Sequence, residues 1–467
     1  MISFFPKQIA SKAIALYLGS LAIVSFLFFS HAMSMTFVII GIVWVVGFFF
    51  LTSNASQRWK DLPVKRFLTN LGLTAFGLRL AWVVFSYFFY LAKTGQPFEF
   101  DAADSMAYWG DGAWLATEKW QFVIDYLFTG RESIADSGYL LYLTALYKVI
   151  GPNIFVTRVI KCLLGTATVL ILYNLTSRNL GEKVGRLASV MACFMPNLIV
   201  YCGLHLKETE MLFLMVAFLE RADYLLRNKR YNVWTIAVPA VLLLSLFTFR
   251  TVLGVSCTFA LVSGLTFTST SVIGRKKRVM LIAWVVLAAA TLMGGVIGTE
   301  IDSLWEDRGS NVEQKRMEQT ARGNQWAKYV TGSVMAPMMF VLPFPTMVDV
   351  DQQYNQQILS GGNYVRNFIG GFVLLALFNA LFIKKNWRDL SLLGAFVLSY
   401  LGIVSVSGFS NSERFLLPGL PGLLIIAAYG VSLLNARNYW FIKMWYWLVP
   451  LMVAGWAVFK LGSRGLL

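Results

Sequence analysis

The chain has few charged residues for its length. Of its 467 residues only 14% are Asp, Glu, Lys or Arg, whereas 57% are hydrophobic and the mean hydropathy is +0.63. Because a soluble domain carries about 25% charged residues, this chain lacks the polar side chains needed to cover a water-exposed surface of its size. The shortage of charge excludes a soluble globular protein, and it also excludes intrinsic disorder, collagen and coiled coil.

Histidine and cysteine are also scarce, with two and four residues. The cysteines lie within or beside apolar segments without metal-ligand spacing, which predicts neither a disulfide framework nor a zinc site; they are Cys162, Cys193, Cys202 and Cys257. The sequence contains no P-loop, GxSxG, HExxH or dinucleotide-binding fingerprint. A requirement for a divalent metal stays open, because Asp349 and Asp351 form a short DVD pattern that could present two carboxylates.

Acidic residues are fewer than basic ones, since 40 Lys and Arg against 24 Asp and Glu give a net charge of +16. In a soluble protein this charge would suggest nucleic acid. Here the basic residues form short clusters between apolar runs, which is typical of cytoplasmic loops of a membrane protein. We therefore expect no nucleic-acid partner and predict a cytoplasmic position for the clusters at 7–12, 58–66, 178–186, 227–230, 275–278 and 384–388.

Long apolar runs dominate the remaining sequence. A membrane-spanning helix needs about 17–25 predominantly apolar residues, and about thirteen such runs occur in the sequence. They predict an all-α fold, a polytopic transmembrane helical bundle whose retained first helix starts in the cytoplasm. The predicted spans are 12–31, 34–52, 69–92, 154–175, 187–204, 209–226, 233–249, 252–270, 279–298, 366–383, 390–408, 415–434 and 441–461.

Two long segments on the opposite, outer face divide the chain. The first outer loop, 93–153, ends in an amphipathic stretch that predicts a helix lying in the outer interface. The second, 299–365, combines a charged part with an apolar part whose two prolines suggest a re-entrant element. The predicted organisation is an N-terminal hairpin with its cytoplasmic loop, a catalytic core, the second outer loop and the C-terminal helices, at 1–68, 69–298, 299–365 and 366–467.

The first outer loop is rich in acidic and aromatic side chains. Asp101, Asp104 and Asp111 lie close together, with Tyr108 and Trp109 between them. In a helix, Asp101, Asp104 and Tyr108 would share one face. A carboxylate in a partly desolvated site can act as a general base, whereas the alternative interpretation is a solvated loop whose aspartates cap helices.

Several charged residues lie at the outer ends of predicted spans, where the positive-inside rule does not account for cations. Converging cations of this kind favour a bound phosphate, although anchoring to lipid headgroups explains one or two of them. Charges at this depth tend to line a cavity or to form pairs. The residues are Arg158, Lys161, Lys207, Glu208, Glu210, Arg250 and Arg414.

The order of five motifs resembles the GT-C superfamily of integral membrane glycosyltransferases. It is most similar to the branch that contains protein O-mannosyltransferases and the lipid A aminoarabinose transferase. The similarity is clearest over 100–220 and 410–430, and it departs from the pattern at Ser105, where many relatives have Glu. The motifs are DSMAY, SGYLLYLTALYKVIGPN, TRVIKCLLGTATVLILYNL, PNLIVYCGLHLKE and RFLLPGLP, which begin at 104, 137, 157, 196 and 414.

The resemblance implies transfer of a sugar, with inversion, from a polyprenyl-phosphate donor. The expected acceptor is a lipid, glycan or protein on the periplasmic or outer face. The small cysteine count and the absence of organellar signals suggest a bacterial inner membrane. Asp104 is then the expected catalytic base, with Asp101 as its competitor. The expected substrate-binding residues are Tyr108, Arg158, Lys161, Lys207, Glu208, Arg250 and Arg414, and the five cations among them are the candidates for holding the donor phosphate.

Two alternatives stay open from the sequence alone. A glycan polymerase or ligase with a polyprenyl-diphosphate donor would need the same cations. A lipid-linked sugar transporter would instead show repeat symmetry and broken helices with charges near mid-span, and the sequence shows no internal repeat.

Overall fold

The fold is described from a computed structural model of the chain. The structure describes residues 2–130, 134–228, 232–267, 338–350, 353–383, 387–406, 412–462 and 465–466. Within these residues the regular structure is helical, and the β-structure consists of an isolated antiparallel bridge between Ala32 and Val348. The prediction of an all-α fold is therefore confirmed for the described part of the chain.

The α-helices of the described residues are numbered in chain order. The first group comprises α1 Lys7–Leu27, α2 Met35–Trp59, α3 Val64–Thr94, α4 Ala103–Thr117, α5 Trp120–Phe128 and α6 Ser137–Ile150. The second comprises α7 Ile154–Leu180, α8 Glu182–Phe194, α9 Pro196–Val200, α10 Glu208–Arg227, α11 Val233–Phe249 and α12 Thr251–Phe267. The third comprises α13 Tyr354–Ile358, α14 Ser360–Phe378, α15 Ser391–Val406, α16 Glu413–Leu416, α17 Leu420–Ser432 and α18 Tyr439–Gly462.

Seven helical segments among the described residues are long and apolar enough to cross a membrane. An eighth arises if α8 and the following Pro196–Gly203 segment, which are bent by 57° relative to each other, form one broken span. Three shorter apolar helices accompany them at Val233–Phe249, Thr251–Phe267 and Ser391–Ser405. The seven segments are Lys7–Leu27, Met35–Trp59, Val64–Thr94, Ile154–Leu180, Ser360–Ile383, Glu413–Ser432 and Tyr439–Gly462.

The predicted membrane class is confirmed at this level, but the count of about thirteen spans is not. The predicted run at 209–226 forms α10, which carries six charged residues and is not one of the seven segments. The predicted span at 279–298 and the basic cluster at 275–278 lie outside the described residues. Helices α3 and α14 also begin several residues before the predicted spans at 69 and 366, because their first turns are polar.

Local sequence explains how α7, α8 and α9 are separated. The Asn153 side chain caps α7 by accepting a hydrogen bond from the backbone N–H of Val156 at 3.1 Å. Gly181 ends that helix with φ of 88°, a left-handed conformation that favours glycine, so α8 can fold back along α7. Pro196 then opens α9, where its missing N–H breaks the helix and produces the bend.

One end of the bundle collects basic residues from three loops. Arg186 in α8 donates to the carbonyl oxygen of Trp59 at 2.9 Å, which joins the α7–α8 turn to the α2–α3 turn. Arg178 and Arg227 both pair with Asp223, at 3.2 and 2.9 Å. The predicted basic clusters at 58–66, 178–186 and 227 therefore lie at the same end of the molecule.

The opposite end carries the first outer loop, which contains α4, α5 and α6. The predicted amphipathic helix is present as α6, which packs against α4 and α11. Residues 299–337 of the second outer loop lie outside the described residues. Its described part at 338–350 is a buried and mostly irregular segment that pairs with Ala32 through the β-bridge.

Candidate functional site

Arg414 joins two carboxylates that are remote in sequence. It lies in the short helix α16, just before α17, and its guanidinium contacts Asp104 in α4 and Glu208 at the start of α10. These contacts bridge separations of 310 and 206 residues along the chain. Three of the predicted site residues are therefore brought together by packing of helices at the end of the bundle that carries α4 to α6.

Glu208 is the buried acid of this cluster. Its side chain is fully buried at the N-terminus of α10, where the helix dipole favours a negative charge. Besides Arg414, it lies 3.8 Å from a guanidinium nitrogen of Arg250. Its second oxygen, Oε2, has no hydrogen-bond partner among the described residues. Glu208 thus fixes two arginines on one carboxylate.

Arg250 approaches from the junction between α11 and α12. Its backbone is extended there, with φ of −163°, so the side chain leaves the helical path and turns towards the cluster. The guanidinium lies 4.7 Å from the ring centre of Phe415 and 3.4 Å from the Tyr400 hydroxyl. The aromatic contact and the hydroxyl hold the plane of Arg250 in a defined orientation.

Lys207 is the third cation of the cluster and is almost completely buried. Its ammonium donates to the carbonyl oxygen of Phe249 at 2.9 Å and pairs with Asp136 at the start of α6. Burial lowers the pKa of Lys207 well below its usual range, and the charge of Arg250 acts in the same direction. The two arginines therefore retain their positive charge more readily than this lysine does.

Asp104 and Tyr108 occupy successive turns of α4. Asp104 lies on the solvent-exposed side of the cluster, because 59% of its side chain is exposed, compared with 21% for Arg414. Tyr108 packs edge-on against Tyr139 with ring centres 5.0 Å apart. Burial raises the pKa of Tyr108 to about 12, against the opposing effect of Arg414, so the phenol stays neutral near pH 7.

The structure separates Asp101 from the face shared by Asp104 and Tyr108. The helix begins only at Ala103, and Asp101 precedes it with φ of 51° in the left-handed region. The expectation that all three residues share a helical face is therefore wrong for Asp101. The i, i+3 spacing predicted a helix that already includes Asp101. Asp tolerates the left-handed conformation, so the chain makes a turn at Asp101 and the helix begins after it.

Arg158 and Lys161 form a second, deeper cluster instead of joining the first. Both are fully buried; Arg158 donates to the carbonyl oxygen of Pro97 at 2.6 Å, and Lys161 lies 3.3 Å from Glu210. Within the described residues no hydrogen bond or ion pair connects either cation to Glu208. The predicted five-cation clamp is thus divided into Lys207, Arg250 and Arg414 on one side and this inner pair on the other.

A histidine supports the inner cluster. His205 is fully buried and its Nε2 lies 2.9 Å from the Tyr147 hydroxyl. Burial lowers the pKa of His205 well below its usual range, and the charges of Lys161 and Arg158 lower it further. The imidazole is therefore neutral near pH 7 and serves as a hydrogen-bonding spacer between α6 and the start of α10.

The sequence interpretation missed Asp136 and Glu413 as parts of the site. Asp136 lies outside the acidic stretch at 101–111, and its role depends on the approach of α6 to Lys207. Glu413 accepts hydrogen bonds from Asn197 at 2.7 Å and from Tyr201 at 2.6 Å, which anchors the helix that carries Arg414. The available signal was its position next to Arg414 and inside an otherwise apolar region.

The cluster around Arg414 contains as many acidic as basic side chains. Lys207, Arg250 and Arg414 face Asp104, Asp136 and Glu208. An incoming phosphate would therefore compete with carboxylates for the arginines, and the exposed Asp104 is the one most easily displaced. The arrangement can bind an anion at Arg414 and release a carboxylate in the same step.

The described residues contain no group of three or more His, Cys, Asp or Glu side chains placed to hold a metal ion. Of the DVD pattern, Asp349 accepts a hydrogen bond from Gln357 at 2.8 Å, and Asp351 lies outside the described residues. No family model matches the chain, and no curated protein matches it.

Proposed function

We propose that this protein is a membrane glycosyltransferase that uses a polyprenyl-phosphate-linked sugar. The transfer takes place at the end of the bundle that carries α4, which we place on the periplasmic side of a bacterial inner membrane. The observation that carries the proposal is the cluster of Asp104, Glu208, Arg250 and Arg414. It combines an exposed carboxylate with two fixed guanidinium groups at one end of apolar helices.

The arginines suit the donor phosphate. Arg414 and Arg250 are partly exposed, at 21% and 12% of their side chains, while the buried Glu208 pairs with both. A preorganised pair of guanidinium groups stabilises the negative charge that develops on a departing phosphate. A polyprenyl chain is apolar and can remain in the lipid beside the spanning helices while its phosphate reaches the cluster.

Asp104 suits the role of general base. In the proposed reaction, an acceptor hydroxyl oxygen forms a bond to the anomeric carbon, and the bond from that carbon to the phosphate oxygen breaks. Polyprenyl phosphate leaves with the bonding electron pair, and Asp104 takes the hydroxyl proton. A phosphate that draws Arg414 towards itself frees the Asp104 carboxylate for this step.

The test is release of polyprenyl phosphate by the purified full-length protein in detergent. The assay supplies undecaprenyl-phosphate sugars together with a membrane glycolipid and glycan extract. We expect release by the wild type and a loss of at least about 100-fold in Asp104→Asn, because a positioned general base contributes about that much. Binding of the donor should persist in the variant.

Asp111→Asn is the matched control, since it removes the same charge from the same helix without a contact to Arg414. It should retain at least half of the wild-type rate. Equal rates for Asp104→Asn and the wild type would contradict the assignment of the base. Release from diphosphate-linked donors alone would establish the glycan polymerase or ligase alternative, and absence of any release would favour a transporter.

A further inference from the structure

A cleft beside the first turn of α4 is not used by the donor cluster. Its volume is about 340 Å³, and its lining includes Phe98, Glu99, Phe100, Met106 and Tyr354. Ala102 also lines it, so the cleft and Asp104 share the first turn of one helix, whose pitch is about 5.4 Å. A molecule seated in the cleft would lie on the opposite side of this turn from Arg414.

Two of the residues that line the cleft carry carboxylates, which accept hydrogen bonds. Glu99 is 7% exposed, and its Oε1 accepts a hydrogen bond from the Ser105 hydroxyl. Its other oxygen, Oε2, has no hydrogen-bond partner among the described residues. An unpartnered buried carboxylate oxygen is costly and calls for a donor. Asp101, exposed at the mouth of the cleft, adds a second carboxylate.

A positive charge that acts on Glu99 belongs to Arg158 of the inner cluster. Arg158 donates to the carbonyl oxygen of Pro97, two residues before Glu99, and interacts electrostatically with the Glu99 carboxylate. No Lys or Arg is among the described residues that line the cleft itself. The cleft therefore does not suit a phosphate, and its ligand must bring its own hydrogen-bond donors.

Aromatic rings form the other wall. The Tyr354 ring lies 5.1 Å from Phe100 and 5.8 Å from Phe37, measured between ring centres, and Tyr354 is 37% exposed. The backbone of Phe100 is fixed by the Asn355 side chain, which donates to its carbonyl oxygen at 2.5 Å. The rings thus offer a rigid apolar surface next to the acceptors.

We infer that this cleft binds the sugar headgroup of a glycan or glycolipid acceptor. A sugar carries hydroxyl donors for Glu99 and Asp101, and its C–H face can pack on Tyr354. The cleft and Asp104 lie at the same end of α4, so the sugar is held at the end of the helix that carries the proposed base. The inference rests on the proposed function and adds the chemical class of the acceptor, because the carboxylates and the exposed ring of Tyr354 match the hydroxyls and the C–H face of a sugar.

The first experiment separates acceptor binding from donor use. The extract and the donor are each titrated in the release assay with the wild type, Glu99→Gln and Tyr354→Ala. We expect the half-saturating amount of extract to rise about tenfold or more, as for loss of one hydrogen bond to a charged group. The half-saturating donor concentration should stay within about twofold of the wild type, because the arginine cluster is intact.

Tyr126→Ala is the control, because Tyr126 is a partly exposed aromatic residue of α5 that does not line the cleft. Its half-saturating values should match the wild type. An unchanged value for extract in Glu99→Gln, or an equal rise for the donor, would overturn the inference while leaving the proposed function intact.

The second experiment needs no turnover. Radiolabelled oligosaccharides released from the same extract are equilibrated with the full-length protein by dialysis. Binding by the wild type that weakens about tenfold or more in Glu99→Gln supports the cleft. Absence of binding, or equal binding by both proteins, overturns the inference even if no donor is ever cleaved. Failure of the proposed function is seen separately, as absence of polyprenyl phosphate release by the wild type.

Discussion

Arg414 shows how one side chain can determine the architecture of a site. Its guanidinium presents several donors in a rigid plane, so it can bind two carboxylates from different helices at once. Here those partners are Asp104 and the fully buried Glu208. The same property lets Arg414 exchange the carboxylate of Asp104 for a phosphate while it remains paired with Glu208. A lysine ammonium lacks this rigid plane of donors and would not fix two carboxylates in defined directions.

The Arg414 and Glu208 pair gives a stability prediction at the residue scale. Arg414→Gln leaves the buried Glu208 with Arg250 at 3.8 Å as its remaining close guanidinium. Breaking a buried ion pair from one side costs about 3–5 kcal/mol, so we expect a large loss of stability in denaturant unfolding in micelles. The double variant Arg414→Gln with Glu208→Gln should recover most of that loss.

The control for this cycle is Arg58→Gln, because Arg58 is exposed at the basic end of the bundle. It should change the free energy of unfolding by less than about 0.5 kcal/mol. Simple addition of the two single-variant losses in the double variant would contradict the coupling. Turnover should be lost in both variants that lack Arg414, since the donor phosphate loses its ligand.

At the scale of elements, the site depends on how closely α6 approaches α11. Gly138 lies in the first turn of α6, and a Cβ atom there would stand 2.2 Å from the Thr248 hydroxyl and 2.8 Å from the Phe249 ring. Phe249 is also the residue whose carbonyl oxygen binds Lys207. The missing side chain at 138 thus allows the contact that positions Asp136 and Lys207.

We therefore expect Gly138→Ala to push α6 away from α11. Overpacking of this kind costs about 1–3 kcal/mol, and the Asp136 contact with Lys207 should be strained as well. Denaturant unfolding and the release assay would both detect the change, as lower stability and slower turnover.

Gly110→Ala is the matched control for this substitution. Gly110 lies inside α4, and a Cβ atom there would meet nothing within 4 Å. Alanine is preferred to glycine inside a helix by about 0.5–1 kcal/mol, so this variant should be as stable as the wild type or more so. A Gly138→Ala protein of equal stability to Gly110→Ala would show that α6 does not pack as described.

At the scale of the whole molecule, the two ends of the bundle differ in chemistry. The α2–α3 and α7–α8 turns and the last turn of α10 bring basic residues to one end. The acidic and aromatic helices α4 to α6 lie at the other end, with the candidate site. The positive-inside rule places the basic end in the cytoplasm, so we expect the site to face the opposite compartment.

Cysteine labelling of intact and permeabilised cells tests this orientation. Lys183 is exposed at the basic end, and Lys119 is exposed between α4 and α5. A membrane-impermeant thiol reagent should label Lys119→Cys in intact cells and Lys183→Cys only after permeabilisation. The four native cysteines are buried and should give little background. The reverse pattern would contradict the proposed side of the reaction.

The sequence by itself determined the class of the molecule and the residues to consider. Apolar runs, scarce charge and clustered cations are local properties, so they were enough to predict an all-helical membrane protein and the approximate positions of its helices. They also singled out Asp104, Lys207, Glu208, Arg250 and Arg414, because charges at the ends of apolar helices are unusual wherever they occur.

Only the tertiary structure decided which of these charges meet. Arg414 and Asp104 are 310 residues apart, and their contact follows from helix packing that no local pattern encodes. The same packing separates Arg158 and Lys161 into an inner cluster, although both were expected to help bind the donor phosphate. The sequence pattern also did not predict that α4 starts at Ala103, because this boundary depends on the backbone conformation of one residue, Asp101.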